Sequence, residues 1–276
     1  MYRTNIEQIE KTKKIIKKFP RRHILMNGLD YTWSCDLADF SKNKIQNKYS
    51  YVLFLIDNMS KYLFISFLKN KTSKSIIDGI KDVFNQTDRR PKKIMSDMES
   101  GLYSKETTNF LKAQNIILYH TFTGADELGS HNPIVDSAIK NIKHWTSRYY
   151  NENDMYNSLI NCVELYNNSF HSTIKMAPAD AIKPENYEKL EQVFNIRERK
   201  YNPKEWFSFQ VGDNVRIYKL KGKFEKGYTA NWTDEIFKIA FILETKPKAY
   251  ILADKNNELI KGKFYAQQLA KSVFLF

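Results

Sequence analysis

The chain has 276 residues, 42% of them apolar and 14% aromatic, enough to bury a sizeable core and to form more than one domain, so a disordered chain is excluded. Its net charge of +13 and isoelectric point near 9.4 point to a polyanionic partner, with a ribosomal or membrane-surface role left for the motifs to decide. Two cysteines, Cys35 and Cys162, and five histidines give no spaced pairs, which excludes a disulfide framework and a structural zinc site.

In chain order, residues 5–18 read as a polar helix carrying Lys11, Lys13, Lys14, Lys17 and Lys18, closed by Pro20 and followed by Arg21 and Arg22. We take residues 1–25 as a basic helical arm, with no signal peptide behind Met1 and hence an intracellular protein. Strands are expected around 31–40, 49–57 and 61–68. Asp57, Asn58, Ser60 and Lys61 interrupt the apolar stretch from Tyr51 to Leu68, which therefore reads as two strands and a tight turn and not as a membrane span.

The period then changes. Ile76, Ile77, Ile80, Val83 and Phe84 fall on one side of a helix over 72–84, followed by a strand at 93–96, a helix at 105–114, a strand at 116–120, and helices at about 132–149 and 153–168. Three hairpin-linked strands followed by alternating helices and strands predict an α/β domain over 26–183, an RNase-H-like mixed sheet flanked by helices. A charged linker with some helix is expected at 184–204. Residues 205–276 carry about five short strands between turn signals, as in a small all-β, SH3-like barrel.

Three carboxylates stand out against this frame. Asp36 lies inside an apolar strand, where an unpaired charge is costly without a metal or a cation. Asp97 follows a short strand, at the carboxyl end where ligand groups of open α/β sheets gather. Asp136 opens a helix on which Lys140 and Lys143 follow one and two turns later on the same side. Taken one by one, a paired core acid, a turn former and a helix-start acid explain them equally well. Taken together they fit a shared site for two-metal phosphoryl transfer.

Of the histidines, His144 lies eight residues beyond Asp136 and off its face, which favours a packing or hydrogen-bonding role over a ligand; His120 and His131 border the same region. In the carboxy-terminal segment Arg216, Lys219, Lys221, Lys223, Lys226 and Lys238 are interleaved with Tyr218, Phe224, Tyr228 and Trp232. The lysines are expected outward on a DNA-binding surface and the aromatics inward.

From about residue 19 to 274 the chain resembles the retroviral-type integrases of Maverick/Polinton elements and virophages. The resemblance rests on Phe19–His23, Trp33–Leu37, Leu55–Tyr62 with Leu68–Lys71, Ser96–Asp97, Tyr166–Ile174 with Ala177–Asp180, Val211–Arg216, Phe224–Tyr228, Trp232–Phe237 and Gly262–Tyr265. It implies metal-dependent processing and strand transfer of element DNA by an Asp, Asp, Glu site mapped to Asp36, Asp97 and Asp136, with two Mg²⁺ (or Mn²⁺) ions. Asp136 follows Asp97 by 39 positions, close to the gap in such integrases. The resemblance also implies double-stranded DNA as partner, a homo-oligomer, no membrane and no small-molecule substrate, and a place in the host nucleus or in an element particle. Lys140 and Lys143, with Arg21, Arg22, Arg216, Lys219 and Lys226, are the expected DNA contacts, and His171 is expected to buttress the helix-to-loop turn it matches.

The pattern departs from the family around the site. The third acid is Asp136 instead of Glu, and the usual Gly-x-Glu-Phe after Asp97 is replaced by Glu99, Ser100, Gly101 and Leu102. A carboxylate one methylene shorter falls about 1 to 1.5 Å short, a misplacement that can cost on the order of a hundredfold in rate. Asp126 and Glu127 rank below Asp136 as substitutes because they precede Gly129 in an expected loop. The departures define the alternative, an integrase-derived DNA-binding protein without catalysis; a nonspecific nuclease is a third reading.

Overall fold

The computed structural model describes residues 2–16, 19–20, 26–42, 45–46, 48–97, 99–119, 132–149, 154–200, 208–219 and 229–274, and these divide into two compact units. The larger, spanning 25–121 and 130–200, is built on a five-stranded mixed sheet. Its strands β1 (Thr32–Asp39), β2 (Tyr51–Asp57) and β3 (Leu63–Leu68) form an antiparallel meander. Strands β4 (Lys93–Ser96) and β5 (Ile117–Tyr119) then add in parallel on the far side of β1, giving the order β3-β2-β1-β4-β5. This is the RNase-H-like arrangement expected from the order of elements.

Alternation along β1 and β2 divides the side chains between two cores. Trp33, Cys35, Leu37, Leu53 and Leu55 pack with Ile76, Ile80 and Val83 of helix α2 (Ser73–Gln86) and with Leu111 of α3 (Lys105–Ala113). Ala38, Val52, Phe54 and Ile56 pack with Val135, Ile139 and Ile142 of α4 (Pro133–Tyr149) and with Leu159 and Val163 of α5 (Met155–Asn168). Each helix places an apolar stripe on the sheet, the pattern expected of helices covering both faces.

The tight turn between β2 and β3 is held by charge. Asp57 is fully buried and accepts from the Met59 and Ser60 amides and the Ser60 hydroxyl, while Arg89 Nη2 lies 2.8 Å from Asp57 Oδ2 and 2.7 Å from Asp30 Oδ1. Lys61 follows in the left-handed region (φ 62°), its ammonium donating to the Asn58 carbonyl; burial pulls its pKa down to about 8.

After α5 come a short helix α6 (Pro178–Ala181) and α7 (Tyr187–Lys200), so much of the segment expected as a charged linker is helix. Leu190 and Phe194 of α7 are buried with Met59, Ile174 and Ala181.

The smaller unit is discontinuous, joining the described residues of 1–24 to those of 201–276. Its strands β6 (Asn214–Ile217), β7 (Phe237–Leu243), β8 (Ala249–Ala253), β9 (Phe264–Tyr265) and β10 (Leu269–Lys271) form one antiparallel sheet in the order β10-β6-β7-β8-β9. Its core is Phe209, Val215, Phe237, Ile239, Tyr250, Leu252 and Phe264. The amino-terminal helix, α1, spans Tyr2–Thr12 and ends short of the expected 18. Far from being a free arm, it inserts Glu10, 3% exposed, among Arg216 Nε (3.2 Å), the Ser272 hydroxyl (2.9 Å) and the Val273 amide (2.8 Å). Asn231 and Trp232 also donate to the Lys11 and Lys13 carbonyls.

Candidate active site

Register brings the first two acids together. Cys35 of β1 is level with Ser96 of β4, and since the two strands run parallel, Asp36 and Asp97 are the next residues on each. Asp36 shares a strand face with Ala38, which packs against α4, so its carboxylate is on the α4 side of the sheet. The third acid comes from the start of that helix. Asn132 Nδ2 donates to the Met95 carbonyl (3.0 Å), tying the entry of α4 to β4, and the Asp136 amide closes the first turn on the Asn132 carbonyl (3.0 Å).

The charges of both other acids bear on Asp36. The Asp36 carboxyl is pushed up to about 6, first by burial and then by the negative charges of Asp97, Asp136 and Glu99; the Leu37 amide, donating at 2.7 Å, opposes the rise. The neighbouring Cys35 thiol is raised well above its usual range by burial and by Asp36, Glu99 and Asp97, which leaves it protonated and inert. Among the described residues, no group of three or more His, Cys, Asp or Glu side chains is placed to hold a metal ion.

Glu99 is a fourth acid that the sequence reading treated only as a departure. The chain turns just after Asp97, with the Glu99 amide donating to the Asp97 carbonyl (2.8 Å), and Glu99 Oε1 meets Lys71 Nζ at 2.6 Å. The partners are 28 residues apart, so no spacing rule reveals the pair.

The expected DNA contacts separate. Lys140 and Lys143 are both exposed on α4, and the Lys143 ammonium stands 5.3 Å over the Phe40 ring. Lys219 is half-exposed and pairs with Asp234 at 2.8 Å. Arg216, expected as a DNA contact, is only 1% exposed, its charge taken up by Glu10 and its Nη1 bonded to the Thr233 and Asp234 carbonyls. Arg21, Arg22, Lys221, Lys223 and Lys226, with His120, Asp126, Glu127 and His131, lie outside the described residues. His144 is exposed. His171 accepts from the Thr173 amide (3.2 Å) and packs edge-on to Tyr166, and burial lowers its pKa, consistent with a structural part in that turn.

Residues 28–125 match the family model described as Integrase core domain. A Caenorhabditis elegans protein described as transposon-derived is 28% identical over 232 residues, covering 82% of this chain and 73% of its own length. The simian T-cell lymphotropic virus intasome, solved with PP2A regulatory subunit B56 gamma, superposes with a TM-score of 0.67 at 15% identity, over 96% of this chain and 86% of that one. A second solved structure, the HTLV-2 integrase catalytic core domain in complex with magnesium, gives a TM-score of 0.44 at 16% identity, over 56% of this chain and 97% of that one. The chain thus carries an integrase-like core domain with the fold of retroviral integrases. Among the described residues no helix is long and apolar enough to cross a membrane.

Proposed function

We propose that the protein is a DNA integrase of a mobile element of the Maverick/Polinton or virophage type, processing 3′ ends of element DNA and joining them to target DNA. The observation that carries this reading is the register that sets Asp36 and Asp97 side by side at the ends of β1 and β4, with the charges of both Asp97 and Asp136 bearing on Asp36, in an integrase-like core. Half-buried like charges set close together are costly in a purely structural role and suit a site completed by cations.

The donor chemistry fits Mg²⁺ or Mn²⁺. Hard carboxylate oxygens are suitable ligands, and Mg²⁺ is commonly held by one or two carboxylates together with substrate phosphates, so a complete three-carboxylate cage in the free protein is not required. Asp36 and Asp97 would hold the ions with Asp136 completing the set, and two bound ions would supply charge neutralisation to both oxygens of an in-line phosphodiester exchange. Asp36, half-buried beside its neighbours, fixes where the ends must lie. Lys140 and Lys143 hold flanking phosphates from the exposed side of α4. Because two DNA ends are joined in one event, the working form is a homo-oligomer, acting in a host nucleus or element particle. The smaller unit serves as an SH3-like DNA-binding module.

A specific observation favours a second reading, in which the protein binds DNA without joining it: the third acid is the shorter Asp136, and no ready metal-holding group stands among the described residues. Incubation with labelled element-end duplex, target plasmid and Mg²⁺ or Mn²⁺ decides between them. Joined products that vanish with Asp36→Asn support the integrase. Products absent from wild type and restored by Asp136→Glu support the binding protein.

A further inference from the structure

The acid cluster lies beside a cation that the catalytic scheme does not use. Lys71 sits where β3 passes into α2, a junction set by Asn70, whose side chain accepts from both the amide and the hydroxyl of the capping residue Thr72. Its ammonium is held on two sides, by Glu99 Oε1 at 2.6 Å and by the face of Tyr51 at 5.2 Å, yet the side chain stays 38% exposed. The loop after Asp97 is fitted to it: a Cβ at Gly101 would collide with the Lys71 carbonyl oxygen and with Ile76. An ion pair this open contributes only about 0–1 kcal/mol to stability. Stability alone is therefore a weak reason for holding it so closely.

Its surroundings give a better one. The Asp39 carboxylate is held below its usual range by its bonds to Ser41, and also by two lysines from different elements, Lys71 and Lys143. Lys71 thus reaches the end of β1 from the β3–α2 side, while Lys143 reaches it from α4. A DNA backbone approaching four carboxylates meets repulsion, and cations on both sides of the strand carrying Asp36 offset it.

We infer that Lys71, oriented by Glu99 and Tyr51, is a positioning residue that accepts a DNA backbone phosphate beside the acid cluster, opposite the phosphates held from α4. This rests on the reading of the chain as a DNA-joining protein. Glu99 aims the ammonium before DNA arrives, and on binding the ammonium exchanges a carboxylate for a phosphate or is shared between them. The contact is with backbone only and carries no base preference.

The test is duplex affinity of the full chain over a salt series, with a fluorescently labelled duplex, for wild type, Lys71→Ala and Lys71→Arg, together with the melting temperature of each. Loss of one phosphate contact lowers the slope of log affinity against log salt by about 0.9 and weakens binding on the order of tenfold at low salt. We expect both in Lys71→Ala, recovery in Lys71→Arg, and little change in melting temperature. A wild-type slope in Lys71→Ala with a lowered melting temperature makes the pair a loop staple and overturns this inference alone. Wild-type protein with no duplex affinity overturns the proposed function with it.

Discussion

The core contains two groups of acids, each with a member on or just before β1, and they are built on opposite terms. Around Arg89, Asp30 and Asp57 share one guanidinium, which also stands over the Trp33, Tyr62 and Phe64 rings at 5.8, 5.7 and 6.0 Å. Around Asp36, the neighbours are Asp97, Asp136 and Glu99. Burial raises the carboxyl in both groups, but at Asp57 Ser60 and Arg89 work against the rise, whereas at Asp36 the surrounding charges add to it. What separates the two groups is the sign of the neighbours and not the depth of burial, since Asp57 is the more deeply buried of the two.

Several changes would break or sharpen that contrast. The largest effect is expected from Arg89→Ala, which leaves a buried carboxylate uncompensated and should cost about 3–5 kcal/mol in urea unfolding. Next is Asp36→Asn, which should abolish joining by more than about a hundredfold with duplex affinity nearly unchanged, since even the partners behind metal ligands cost about 10- to 100-fold. The same variant should raise stability in metal-free buffer near neutral pH by about 1–3 kcal/mol, because each unit of raised pKa corresponds to about 1.4 kcal/mol of strain in the charged form.

The pH dependence has a definite sign. The Asp36 carboxyl, at 3.8 when unfolded and about 6 when folded, binds its proton more tightly in the native state. Its contribution is therefore complete below the unfolded value and is lost as pH rises through about 6. Chemical denaturation across that window should show the decline in wild type and a flatter profile in Asp36→Asn. The smallest effect is a titration shift: Asp97→Asn should bring the Asp36 carboxyl down from about 6, and Asp136→Asn should do so to a lesser extent, following the order of the two charges. Carbon-13 NMR of Asp36 reads both, and a larger shift from Asp136→Asn would reverse the ranking.

Much of this was legible in the chain itself. The alternation Trp33, Cys35, Leu37 against Ser34, Asp36, Ala38 is a period-2 signal that assigns Asp36 to one face, and the helical spacing of Val135, Ala138, Ile139 and Ile142 presents Asp136 on the helix that covers it. Local periodicity carries such information because each side chain's direction is set by its own backbone. The Lys71–Glu99 pair was not legible, since it is made by a loop packing across the sheet edge. Nor was the inward turn of Arg216. Next to buried Val215, alternation puts it on the opposite face, which would be open in a lone sheet but is covered here by α1 through Glu10, 206 positions away.

That covering helix bears on how the protein comes into being. Glu10 precedes the whole core in the chain, whereas Ser272 and Val273, which complete its bonding, follow it. During synthesis the larger unit has all its strands once residue 119 has emerged and all its helices by residue 200. The smaller unit must wait for β10, with α1 already made and held in reserve. The unit that holds Glu10 thus starts before the larger one and closes after it, and a chain cut short of β10 would carry a formed core beside a companion domain that had never closed.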